Sequence, residues 1–165
     1  MNEETIMKKL ILGLLITSTT TVFAATSGNI NLSGTIDPVL SISLSSSSYN
    51  TLDLENGGDT SIATATEQCN DLDGYKVFGY STNGSELRLD GTNTTHKTSY
   101  TVKYDGANSG VSLGAGVANR VQLKDSGALS GLTSDTSDLT VNVTGNSNLP
   151  AGTYSDVITL QIQAN

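Results

Sequence analysis

Apolar and polar residues alternate along most of this chain in short runs, and clusters rich in Gly, Asn, Asp and Ser separate the runs. Alternation with a period of two sends every second side chain to the same face of an extended backbone, so each run predicts a half-buried β-strand. Ile30, Leu32, Gly34 and Ile36 share a face in the first run, and Val39–Leu44 forms another after Pro38, which marks a break between strands. Leu52 and Leu54 alternate next, then Ile62, Thr64 and Thr66. Tyr75–Tyr80 starts after the turn pair Asp73-Gly74 and stops at Asn83-Gly84, which predicts a hairpin with Leu87 and Leu89 on the returning strand. Tyr100, Val102 and Tyr104 continue the pattern to Asp105-Gly106. Val111–Gly116 reads as a glycine-rich loop, Val117–Lys124 as a strand and Gly127–Ser137 as a loop. Leu139, Val141 and Val143 alternate cleanly, as do Tyr154, Ile158, Leu160 and Ile162. Beyond the N-terminus no segment carries apolar residues at helical spacing, and about eight to ten short strands predict an all-β sandwich.

The N-terminal segment breaks the pattern. Met7-Lys8-Lys9 precedes the apolar run Leu10–Ile16, and a polar stretch then ends in Val22-Phe23-Ala24 before Ala25. A basic start, a short apolar core and small residues at a cleavage point mark a secretory signal over residues 1–24. The run is too short to span a bilayer as a helix, which takes about 20 residues. Glu3 and Glu4 do not suit a basic leader, so translation from Met7 instead of Met1 would restore an ordinary one.

Composition narrows the function classes. The chain has 165 residues, 36% hydrophobic and 15% charged, which is enough for one domain behind the leader. Its 16 acids against 8 bases give a net charge of −8, and an acidic surface repels phosphate backbones, which argues against nucleic acid as a partner. The lone cysteine, Cys69, has no partner in the chain and reads as a small buried hydrophobe or as one half of a bridge to another chain. One His and one Cys cannot build a tetrahedral zinc site, so no metal or cofactor is expected. The chain contains no nucleophile elbow, zinc-protease helix or phosphate loop, and His96 sits in the polar stretch Thr94–Lys97 with no nucleophile beside it. Asp71 and Asp73 read as a turn before Tyr75, because the further oxygen ligands of a calcium loop are missing. Glycosylation sequons at Asn31, Asn83, Asn93 and Asn142 arise easily in a chain so rich in Asn, Ser and Thr. An enzyme is not expected.

Both ends of the chain resemble a known family. The segment Asn29–Leu40, with Asp37-Pro38-Val39, resembles the N-terminus of chaperone–usher pilins of the colonisation-factor (alpha) class. The ending Pro150-Ala151-Gly152-Thr153-Tyr154-Ser155-Asp156-Val157-Ile158-Thr159-Leu160 is similar to the last strand of those pilins and of spore-coat-U-type secreted domains. Gly74–Val77 and Ser99–Val102 resemble the latter group more loosely. The resemblance implies an immunoglobulin-like sandwich over residues 38–165 that lacks its final strand. Residues 25–37 would be an N-terminal donor-strand extension that fills the gap in the next subunit, with Ile30, Leu32 and Ile36 entering pockets and Gly34 crossing a shallow floor. Tyr154, Ile158, Leu160 and Ile162 would border the groove and dock on a periplasmic chaperone, whose basic residues would hold the Asn165 carboxylate. The implied partners are identical or related pilin subunits, that chaperone, an outer-membrane usher and a host receptor, in a protein exported through the periplasm to a surface fimbria. Two features depart from the commoner pattern: no aromatic stands near the C-terminus, and Leu40 occupies the place of a first cysteine. The colonisation-factor class also lacks that bridge.

From alternation alone, Ile30–Ile36 reads equally well as the chain's own first strand and as a strand given away. The first reading fits a self-contained secreted β-sandwich that binds carbohydrate or a surface-coat protein. The second fits a fibre subunit supporting adhesion, since the length leaves no room for a separate receptor-binding domain. Against sugar binding, the chain has no Trp, and most of its six Tyr lie in alternating strands where core packing is expected.

Overall fold

A computed structural model describes residues 27–165 of the chain, so the signal segment 1–24, the choice between Met1 and Met7, and residues 25 and 26 lie outside the described residues. The chain divides into a unit ending at Thr35 and a unit spanning Ile36–Asn165. In the first, residues 27–35 have no regular secondary structure, and Ile30 and Leu32 project into solvent.

The second unit contains two antiparallel sheets, as the alternation predicts. β1 (Leu40–Leu44), β2 (Gly57–Cys69), β7 (Thr133–Thr144), β5 (Lys97–Tyr104), β4 (Glu86–Leu89) and β8 (Tyr154–Ser155) form one sheet in that spatial order. β6 (Val121–Asp125), β3 (Tyr75–Ser81) and β9 (Ile158–Ala164) form the other. Val77, Tyr75, Tyr100, Val102, Tyr104, Leu139, Val141 and Val143 are buried between the sheets. Each large apolar side chain taken from water there contributes about 1.5–3 kcal/mol before ordering costs. At the lower end of the sandwich, where β2 finishes and β3 starts, Gly74 makes the turn with φ +84°, and a Cβ there would lie 1.8 Å from the Gly127 carbonyl oxygen. Only glycine fits that approach.

Several predicted elements differ. Leu52 and Leu54 belong to an unpaired connection, although both pack against the core. Ile62, Thr64 and Thr66 do not share a buried face: a bulge at Ile62 shifts the register, and Ala63, Ala65, Glu67 and Cys69 oppose the inward residues of β7 instead. One extra residue flips every later side chain to the other face. The expected hairpin at Asn83-Gly84 is a crossing between sheets, because β6 and β9 occupy both edges of β3 and leave none for β4. Val117–Asn119 is a short 3-10 turn, so the strand predicted over Val117–Lys124 is confined to β6. The loop expected over Gly127–Ser137 ends at Thr133, where β7 begins with the alternating polar residues Thr133, Asp135 and Ser137. Those polar side chains stand opposite Cys69, Glu67 and Ala65, and hydrophobic alternation cannot reveal a strand whose inward face is polar.

Candidate functional site

Each sheet ends in an edge strand on the same side of the sandwich. Among the described residues β1 pairs only with β2, β9 pairs only with β3, and the two run close together without forming a ladder. The register fixes where their side chains point. Leu40, Ile42 and Leu44 stand opposite Cys69, Glu67 and Ala65, all three buried, so they face the interior. Ile158, Leu160 and Ile162 stand opposite the inward Ser81, Gly79 and Val77 and face the interior too. Yet Leu40 and Leu44 remain 40% and 44% exposed, and all three β9 residues are only half-buried. Residues aimed into the core are thus left partly wet on both sides of the space between β1 and β9.

The gap opens into a cleft of about 680 Å³. Ile62, Leu139, Val141 and Tyr100 from the large sheet form its floor, Ile158 and Leu160 its far wall, and Ser46–Asn50 its rim. Backbone N–H and C=O groups on the free sides of β1 and β9 make the gap a template for a further strand. Asp156 shapes the upper end, where the chain passes from β8 in one sheet to β9 in the other. Its carboxylate accepts hydrogen bonds from the Asn83 amide at 2.9 Å, the Val157 amide at 2.7 Å and the Tyr100 hydroxyl at 2.8 Å. Burial pushes the Tyr100 phenol well above its ordinary value, so it remains a proton donor to Asp156. Tyr154 is tied down by a bond from its hydroxyl to the Pro150 carbonyl at 2.9 Å.

The residues singled out in the sequence divide into two groups. Tyr154, Ile158 and Leu160 line the cleft, and Ile162 continues the same face of β9 below it. Asn165 closes the lower end, its amide donating to the Gly74 carbonyl at 3.1 Å and its side chain to the Asp73 carbonyl at 2.8 Å. Ile30, Leu32 and Ile36 are 85–91% exposed, and Gly34 has open space around it. Sequence reasoning missed the floor, which three strands contribute from scattered positions, and missed Asp156, two of whose three hydrogen bonds come from distant segments.

A second polar cluster lies toward the lower end. Glu67 is fully buried; its carboxylate accepts from the Tyr104 hydroxyl and from Ser137 Oγ at 3.2 Å. Lys124 Nζ reaches across from β6 to Asp135 at 2.5 Å, Asp105 at 3.2 Å and Glu67 at 3.6 Å. Burial would pull the Lys124 ammonium down, but hydrogen bonds to Asp135 and Asp105 and the Glu67 charge hold it above the ordinary lysine value. With these contacts to β2, β7 and the end of β5, the β6 ammonium clamps the two sheets together.

Cys69 is buried, with its sulfur accepting from the Asp71 amide. Asp71 and Asp73 make a turn, the Asp73 amide donating to Asp71 Oδ1 at 3.0 Å. Among the described residues no group of three or more His, Cys, Asp or Glu could hold a metal ion. Tyr75, Tyr100 and Tyr104 are buried, whereas Tyr80 and Tyr154 are half-buried and Tyr49 stands at the cleft rim. In comparison with known proteins, no family model matches the chain and no curated protein matches it in sequence.

Proposed function

We propose that the chain is a structural subunit of a surface fibre, polymerised by giving the strand around Ile30–Ile36 to the open gap of another copy. The observation that carries this is the exposure of inward-facing residues on both edge strands, together with an apolar arm of matching alternation. Burying Ile30, Leu32 and Ile36 would contribute about 5–9 kcal/mol before ordering costs. Donation between copies and folding back differ in the direction the arm can take. β1 runs from the lower to the upper end and β9 runs down. An arm reversing at Asp37-Pro38 into its own gap would lie parallel to β9. Because β1 and β9 run in opposite directions, any strand in the gap is parallel to one and antiparallel to the other, and only an arm from another copy can rise antiparallel to β9.

Resemblance to chaperone–usher pilins extends the proposal. The nascent subunit is exported through the periplasm, a chaperone covers the β1–β9 gap until assembly, an outer-membrane usher organises the fibre, and the fibre supports adhesion to a host receptor. No catalysis and no cofactor are involved.

Gel analysis of surface-sheared protein, with and without boiling in detergent, tests strand donation. A ladder of multiples that collapses to one band on boiling is expected, and Leu32→Asp should abolish it. A single monomer band before and after boiling, unaffected by reductant, would overturn the proposal in favour of a self-contained secreted binding module.

A further inference from the structure

The arm and the cleft leave some exposed apolar side chains unassigned. Leu72 and Leu132 are 63% and 70% exposed, and both belong to segments at the lower end of the sandwich. The Leu129 amide donates to the Leu72 carbonyl at 2.9 Å, and Leu132 precedes Thr133, the register partner of Cys69. The arm departs from this same end. Asn70, two residues before Leu72, accepts from the Val39 amide at 2.7 Å through its Oδ1 and donates to the Asp37 carbonyl at 2.9 Å through its Nδ2. Pro38 between them fixes one further torsion.

We infer that the lower end around Leu72 and Leu132 is a second contact surface between copies, which docks on the upper end of the neighbour that accepts the arm. The inference rests on the proposed strand donation and adds a surface outside the groove. Its basis is chain geometry. An arm antiparallel to the acceptor's β9 places Ile30 at that copy's lower end and Ile36 at its upper end. Asp37 follows directly, about 3.8 Å from Ile36 between Cα atoms, and Asn70 already holds it against the donor. No slack remains, so the donor's lower end must abut the acceptor's upper end, where Val157 and Tyr49 are exposed. Unlike ends meeting in this way join copies head to tail, in an open filament where the rotation between them does not close. A parallel arm would bring two lower ends together and allow reciprocal exchange in a closed dimer.

Fibres of the full chain carrying Leu72→Cys and Val157→Cys, treated with a short bismaleimide, test the juxtaposition. Cys69 is fully buried and should not react. The expected result is a ladder that now survives boiling, absent when either substitution is made alone. A ladder before boiling with a single band after it would overturn the inference while strand donation stands. A cross-linked dimer from Leu72→Cys alone would also overturn it, by placing two lower ends together. Loss of the ladder before boiling in the unmodified chain would remove strand donation and this surface with it. In a second variant, Leu72→Glu with Leu132→Glu, the unboiled ladder should persist while fibres become shorter and more sharply bent in electron micrographs. Unchanged straight fibres would count against the surface.

Discussion

Glu67 is held in the interior near the end of β2 because every oxygen has a partner: Tyr104 and Ser137 donate to it, and Lys124 stands 3.6 Å away. Removing the cation alone would leave a buried charge without its counterpart. Lys124→Met should therefore lower stability by about 3–5 kcal/mol, the usual cost of breaking such a pair from one side. Adding Glu67→Gln should restore much of that, because the interior then holds no net charge. Urea unfolding of the three proteins checks both statements, and an unchanged midpoint in Lys124→Met would refute them. The same cluster sets a pH response. The Lys124 hydrogen bond holds Asp135 below its ordinary value of 3.8, so its contribution is complete above that value and fades as pH falls through the lower folded one. Lys124 is held above 10.5, so its contribution is complete below that value and is lost as pH rises through the higher folded one. The urea midpoint should be level from about pH 5 to 9 and fall on both sides. The acid fall should be shallow, because the half-exposed Asp135 is screened by solvent. Lys124→Met should weaken both dependences.

Among the elements, β9 carries the clearest test of the open edge. It descends from Ile158 to Ala164, so the chain ends at the lower end of the gap. Residues 26–37 fused behind Asn165 through a short flexible linker would turn and rise antiparallel to β9, supplying the missing strand within one chain. The melting temperature should increase, and a linker of about four to six residues should suffice, because the turn needs no more. A rise seen only with linkers long enough to span the whole strand would mean parallel insertion. No rise with any linker would remove donation. Much of this architecture was legible in the alternation: β3, β5 and β9 stand where Tyr75–Tyr80, Tyr100–Tyr104 and Ile158–Ile162 predict them. The rest was hidden for physical reasons. The start of β7 points Thr133, Asp135 and Ser137 inward toward the Lys124 clamp, and the bulge at Ile62 reverses the face of β2. Sheet assignment was equally out of reach. Asn83-Gly84 is a turn by its chemistry, but only the crowding of β3 by two neighbours sends the next strand into the opposite sheet. At the groove, β9 supplied the alternating wall that sequence can display. The floor needed β2, β7 and β5 brought side by side.

For the whole molecule, the proposed donor and acceptor functions would sit on different parts of one chain and could be separated. Leu32→Asp puts a charge on the middle of the arm, where it would have to enter an apolar cleft, and leaves β1, β9 and the floor untouched. Such a chain cannot donate but can still accept, so it should remain a monomer with an open gap. A synthetic peptide of residues 27–37 should then bind and stabilise it, since a ligand that binds only the folded state adds RT ln(1 + [L]/Kd). At a hundredfold excess over Kd this is about 2.7 kcal/mol, which for a domain of this size raises the melting temperature by roughly 10 °C. The shift should grow with peptide concentration, and a peptide carrying Leu32→Asp should produce none. A peptide carrying Gly34→Leu tests the register within the same assay. If Gly34 crosses a shallow part of the floor, an added side chain there has no room and the shift should shrink. If the arm binds in another register, with Gly34 outside the cleft, the Gly34→Leu peptide would stabilise the chain as well as the original. A chain that melts at one temperature with every peptide would be complete without a donor, and neither the fibre nor the contact between its ends could then be built on this gap.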